Sequence, residues 1–280
     1  MPEAATVATN GRPSRAVSHM PALALAALVL LAVAGPWLAP YDPLAQPDPV
    51  TLASQAPTWA HPFGTDPLSR DVLSRMLAGA RVSLGIASLA VLVAVVVGSL
   101  VGSTAALAGR WVDAVLMRVT DAAMAVPRLL VLLTAVAAFG RVSPLVLALL
   151  LGATGWMTTA RLVRQETRRL LASENLRGAR ALGVPSLRLL RWHLLPALLP
   201  TIAVAATVAF GAAVPLEAGL SFLGLGVAPP DPSWGNIILE SEGRLVARWW
   251  LVLFPTAAIV GAVLLANLVA ERLSGGAAEP

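Results

Sequence analysis

Six stretches of the chain are almost free of polar side chains: residues 21–39, 82–108, 112–139, 143–160, 197–216 and 250–270. A helix rises 1.5 Å per residue, so about 20 apolar residues cross the hydrocarbon of a bilayer. The pattern therefore predicts an all-α membrane protein with six transmembrane helices. Gly98, Gly102, Pro127, Gly211, Pro255 and Gly261 fall inside the runs. They are compatible with spans, because neighbouring helices re-satisfy freed backbone groups. Gly98 and Gly102 also have the small-xxx-small spacing that lets two helices approach closely. The first run admits a second reading as a signal peptide, since Ala32-Val33-Ala34 before Gly35 resembles a small-residue cleavage site. Pro36-Trp37-Leu38 continues the apolar run past that point and favours a span.

Composition agrees with lipid as the main solvent. The 280 residues are 57% hydrophobic and 12% charged, where a soluble domain carries roughly 25% charged residues. Absences narrow the chemistry further. There is no Cys, which excludes thiol nucleophiles, iron-sulfur ligation and Cys-type zinc sites. All 20 basic residues are Arg, so the chain has neither the Lys of a phosphate-binding P-loop nor one for a Schiff base. His19, His61 and His193 are far apart and lack metal-site spacing. The sequence thus offers no catalytic group, no metal site and no cofactor of its own, and an enzyme is not expected.

Arginine placement sets the orientation. Residues 161–193 carry eight Arg against Glu166 and Glu174, a net +6 that exceeds the +5 of the whole chain. By the positive-inside rule this loop is cytoplasmic, and six spans then put both termini in the cytoplasm. The expected organisation is a cytoplasmic tail over 1–20, a first span with its outer loop over 21–80, a transmembrane domain over 81–272 containing a cytoplasmic loop at 161–196, and a second tail over 273–280.

That loop is longer than a simple connection needs, and its pattern is helical. Ser173 suits an N-cap, Glu174 suits the first turn, Leu176, Ala179 and Leu182 share a face, Gly183 suits a C′ position and Pro185 follows. A basic anchor on anionic lipid explains the Arg content but not this punctuation. A helix that docks into a groove on a cytosolic partner explains both. Spacing alone leaves the two readings open, and it offers the helix's apolar face no partner within the loop.

The segment ENLRGARALGVPSLRLLRWHLLP resembles the EAA loop in the permease subunits of binding-protein-dependent ABC importers. Glu174, Ala179, Ala181, Leu182 and Gly183 match, nine residues intervene, and His193, Leu194, Leu195 and Pro196 close the motif in the manner of the dipeptide, oligopeptide and nickel subgroup. Asn175 stands where an aromatic is usual, and Gly178 replaces an Ala at a cost of about 1 kcal/mol in helix propensity. HPFGTDPLSRDVLSRMLAGARVSL (61–84) and LEAGLSFLGLGVAPPDPSWG (216–235) are similar to the entry segment and outer loop of the C-type permease subunit.

The resemblance implies the type I ABC importer permease fold in a cell inner (plasma) membrane. It implies several partners besides membrane lipid: a second homologous permease subunit, two cytosolic ATPase subunits that bind the ATP, and an external solute-binding protein. Nucleic acid is not among them. Coupling to the ATPases would run through Glu174, Arg177, Gly178, Ala179, Ala181, Leu182, Gly183, His193 and Pro196, with alternating access as the mechanism. Peptides, a nickel chelate or a related small solute fit the subgroup.

Several residues keep alternative readings. Arg118 and Asp121 are spaced to pair on one helix face. Arg128 lies deeper in the third run with no acid within four positions; it either lines the translocation path, attracting an anionic group such as a peptide carboxylate, or pairs with an acid on another helix or subunit. Glu217 is expected to cap the outer loop. The Pro-rich segment after it is expected to shield helix ends or to contact a docked binding protein, and Trp234, Trp249 and Trp250 to anchor at the interface. A secondary transporter or channel without ATPases is the alternative function. It fits less well, because the spans hold few of the Asp, Glu or His residues that proton relays use.

Overall fold

Asp71 opens the longest helix. Its backbone is extended, and its carboxylate accepts the Ser74 backbone N–H (2.8 Å) and hydroxyl (2.7 Å), so Val72–Leu107 begins on a satisfied N-cap. The computed structural model describes residues 15–140, 142–174, 176, 178, 185–241 and 243–275. Among them the helices, in chain order, are α1 (Arg15–Leu38), α2 (Val72–Leu107), α3 (Arg110–Ala125), α4 (Arg128–Phe139), α5 (Pro144–Ala153), α6 (Trp156–Leu171), α7 (Leu195–Phe222), α8 (Trp234–Leu239) and α9 (Trp250–Gly275). A short turn at Ser186–Leu189 and a π-helical turn at Leu190–Leu194 lead into α7.

The six apolar runs correspond to these helices, with shifted boundaries. The helix of the second run starts ten residues earlier than its apolar pattern, because 72–81 is helical but interrupted by Ser74, Arg75 and Arg81. The third run is not one straight span: α3 and α4 meet at 78° across Val126-Pro127, where proline lacks the N–H to continue the ladder. The fourth bends by 44° at Thr154-Gly155 and continues as α6 to Leu171. The described residues thus hold three long apolar helices, two bent pairs and a first helix whose described apolar part is Ala26–Leu38.

Small residues set a close helix crossing. A Cβ on Gly98 would lie 2.6 Å from Thr159 Cβ and 2.7 Å from the Trp156 carbonyl, and one on Gly152 would lie 2.6 Å from Val93 Cβ. The Gly98/Gly102 spacing is therefore the seam on which α2 packs against α6.

One end of the helix bundle is closed by a polar lock built from the 61–84 motif. Asp66, fully buried, accepts Arg70 Nε at 2.6 Å and the backbone N–H groups of Leu68 (2.8 Å) and Arg70 (3.0 Å), and pairs with Arg75. Glu240, just after α8, accepts Arg70 Nη2 at 2.7 Å and Arg75 Nη2 at 2.9 Å. His61 Nδ1 lies 2.9 Å from Asp71. These polar residues are thus consumed in joining the loop before α2 to that helix and to the chain after α8.

Two expectations about aromatic residues change here. Trp234 is 1% exposed and donates Nε1–H to the Met76 carbonyl (3.1 Å), and Trp250 is 3% exposed and donates to the Thr65 carbonyl (3.0 Å). They are hydrogen-bonded core residues, as buried indoles usually are; Trp249 alone of the three stays exposed. Replacing Trp250 by Phe should remove one buried hydrogen bond and lower stability by about 1–3 kcal/mol, since the Thr65 carbonyl is left unpaired. The thermal unfolding midpoint of the detergent-purified protein reads this directly.

Glu217 also differs from its expected place. It lies inside α7, wholly buried, where its Oε1 accepts the Ser221 hydroxyl at 2.7 Å, and Ser221 Oγ accepts the Val227 N–H at 3.1 Å. The side chain therefore ties the turn after α7 to the helix from within. Its Oε2 is buried without a partner. A side-chain amide oxygen can take over as acceptor for the Ser221 hydroxyl, whereas a methyl group cannot. Glu217→Gln should accordingly melt within about 1 kcal/mol of the wild type, whereas Glu217→Ala, which strands Ser221, should lose about 1–3 kcal/mol.

Candidate functional site

Two places bring the sequence-predicted site residues together. The first is a cavity of about 170 Å³ that opens on one side of the chain, walled by Ala90 and Ala94 of α2, Thr158 and Thr159 of α6, and Val204 and Ala205 of α7, with Thr158 itself exposed. Arg128 reaches it because the break at Pro127 makes it the first residue of α4, beside the second break at Thr154-Gly155. Its Nη2 donates to the Leu151 carbonyl at 2.6 Å, and its Nε to Thr154 Oγ1 at 3.2 Å. That carbonyl is available because the Gly155 N–H turns to Gly152 instead of continuing the α-helical ladder. Gly155 has no Cβ for a reason visible here: one would sit 2.9 Å from Arg128 Nη2. Among the described residues no carboxylate pairs with Arg128.

The second place is the basic stretch after the fourth apolar run. Arg161 pairs with Asp121 at 2.5 Å, and Asp113 takes Arg164 and, at 2.7 Å, Arg168. Asp121 therefore joins α3 to α6 and does not pair with Arg118 on its own helix. Three of the eight arginines counted as loop charge are helical residues facing acids on α3. The Ser173 hydroxyl donates to the Leu170 carbonyl at 2.6 Å, closing α6.

Beyond it, Glu174, Leu176 and Gly178 are helical; Glu174 and Gly178 are exposed and Leu176 is buried. Leu176 packs with Val163, Leu189, Leu194 and Leu198. Leu176, the one described member of that apolar face, thus has a partner within the chain, at the ends of α6 and α7, which spacing could not reveal. His193 and Pro196 are exposed at the start of α7. Arg177, Ala179, Ala181, Leu182 and Gly183 lie outside the described residues.

The fold and these sites define a multi-span helical membrane protein with a cavity among its helices and a basic segment tied to two of them. Comparison with known proteins gives the class. The sequence pattern of the family described as "Binding-protein-dependent transport system inner membrane component" matches residues 94–276. A protein of Brucella suis biovar 1 (strain 1330) that bears the name of a peptide permease is 38% identical over 242 residues, covering 85% of this chain and 78% of its own. The glutathione transport system permease protein GsiD of Escherichia coli O6:K15:H31 (strain 536 / UPEC) is 34% identical over 253 residues, covering 90% and 82%. Among solved structures, the MetNI methionine ABC transporter in an inward-facing form matches with a TM-score of 0.53 at 14% identity, covering 72% of this chain and 97% of that one.

The chain belongs to the binding-protein-dependent transport system inner membrane component family. It is a permease component of an ABC importer, a multi-pass inner-membrane protein of a transport rather than an enzyme family, with the type I permease fold. Permeases of this class work with ATPase and binding-protein partners, and the secondary-transporter alternative is not favoured.

Proposed function

We propose that this chain forms half of a translocation pathway for peptides or a related small solute and passes the work of cytosolic ATPases to that pathway through residues 174–196. It would do so beside a second, homologous permease, above two ATPase subunits that bind the ATP, and beneath an external binding protein. Both of its termini would face the cytoplasm, and it would catalyse nothing itself.

The observation that carries the reading is the two-sidedness of the cytoplasmic segment. Leu176 is sunk into a cluster with Val163, Leu189, Leu194 and Leu198, while Glu174, Gly178, His193 and Pro196 are open to solvent. A force applied to the open side is transmitted through packed leucines to α6 and α7, both of which wall the cavity. Packed side chains between rigid helices are the physical means of such coupling. A peptide substrate is supported by the names of the relatives, glutathione itself being a tripeptide. Arg128, on the cavity wall between those helices, belongs to the pathway in this reading.

Purification of the tagged chain from native membranes should bring down a P-loop ATPase and a second six-span protein. Gly183→Asp places a charge in the segment and should cost the ATPase while keeping the second permease. A chain that purifies alone and moves solute in liposomes would overturn the reading.

A further inference from the structure

Arg128 presents a cation among the membrane-spanning helices whose charge nothing described in this chain neutralises. Its two hydrogen bonds go to a neutral carbonyl and a neutral hydroxyl. Both hold the guanidinium in place and neither balances it. Ala90 and Ala94, midway along α2, share the cavity with it, so the charge lies beside the middle of a long apolar helix. An intramembrane cation is costly unless it meets water, a counter-charge or a ligand.

The geometry leaves one edge of the guanidinium available. Arginine has five N–H donors. Those on Nε and one on Nη2 are engaged, which leaves the Nη1 pair and the second Nη2 hydrogen, the end-on fork that receives both oxygens of a carboxylate. The recess is built for this placement: Gly155 is bare, and a Cβ there would lie 2.9 Å from Nη2. The cavity of about 170 Å³ has room for a carboxylate and the atoms next to it. The other walls are apolar or carry the hydroxyls of Thr158 and Thr159, so the cavity fixes one charge and tolerates varied neutral groups.

We propose that Arg128, held by the Leu151 carbonyl and Thr154 across the α5–α6 break, is a carboxylate-binding site that takes one carboxylate of the solute during its passage. This rests on the cavity being part of the pathway. The acid comes from the solute and not from the neighbouring subunit.

The test uses the assembled transporter in detergent, with phenylglyoxal as an arginine reagent and mass spectrometry to read each site. N-acetylalanine and its amide serve as probes at equal ionic strength. The acid should slow labelling of Arg128 by about tenfold when present at ten times its dissociation constant. The amide should not, and labelling of the exposed Arg188 and Arg191 should be unchanged by either. Gly155→Ala, which displaces the guanidinium without removing it, should weaken the protection, and Arg128→Lys should lower the acid-over-amide preference of uptake in liposomes.

Equal labelling with acid and amide overturns the proposal. So does an Arg128 that resists the reagent before any acid is added, because an acid of the partner subunit then occupies the fork. If protection holds but no ATP-driven uptake occurs, the importer reading fails and the carboxylate site stands; if uptake occurs without protection, the site alone fails.

Discussion

Asp66→Ala should be the most damaging single change at the end of the bundle where α2 begins, lowering stability by about 3–5 kcal/mol. The carboxylate is fully buried and faces two guanidiniums that are themselves 6% and 1% exposed, those of Arg70 and Arg75. Removing it leaves two buried cations to share Glu240, and it strands the backbone N–H groups of Leu68 and Arg70. Asp66→Asn, which keeps an acceptor for those N–H groups, should recover part of the loss. The double variant Asp66→Leu with Arg75→Met should unfold at a higher temperature than Asp66→Ala, because an apolar pair avoids an uncompensated charge. Thermal unfolding of the four proteins in one detergent decides this; equal midpoints for wild type and Asp66→Ala would show that the cluster contributes nothing.

Gly102→Val is expected to separate α2 from α6 and prevent assembly. A Cβ at this position would lie 2.9 Å from the Arg164 backbone nitrogen and 3.1 Å from Val163 Cβ, and it would overlap the Ala160 carbonyl. Two of these obstacles are backbone on a packed helix and cannot yield by changing rotamer. Overpacking of this kind costs about 1–3 kcal/mol and sometimes more; with three added carbons against backbone, the upper end is expected. Gly85→Ala on the same helix is the matched control. Its Cβ meets nothing within 4 Å, and the better helix propensity should gain up to about 1 kcal/mol. Size-exclusion profiles of the two variants should diverge, and a monodisperse Gly102→Val protein would show that α2 and α6 pack more loosely than their geometry implies.

Both predictions concern contacts whose sequence signals differ in strength. The Gly98/Gly102 spacing by itself points to a helix seam, since close approach leaves a trace in residue size. The partner helix does not follow from it, because small residues state that something is near without saying what. The spacing of Asp66, Arg70 and Arg75 is equally visible. Its meaning is not, as the fourth member, Glu240, is 165 residues from Arg75. Asp121 illustrates the same limit: local spacing favours Arg118 on the same helix, yet the carboxylate meets Arg161 on α6. A surface pair on one helix gains only about 0.2–0.5 kcal/mol, so a tertiary contact readily outcompetes it.

The hydrophobic pattern by itself determined that this is a helical membrane protein, because lipid leaves an unpaired backbone no alternative to helix in spans of this composition. Arginine placement gave an expectation for the side of its loops, and the ENLRGARALGVPSLRLLRWHLLP segment pointed to its family. Tertiary structure decided the rest: that Pro127 and Gly155 break two of the spans, that Arg128 is thereby brought to a cavity between helices, and that Trp234, Trp250 and Glu217 are interior residues. Periodicity records which residues avoid water, a property of each position and its near neighbours. Which helix faces which, and what a buried charge meets there, depends on the packing of segments far apart in the chain, and no local pattern encodes it.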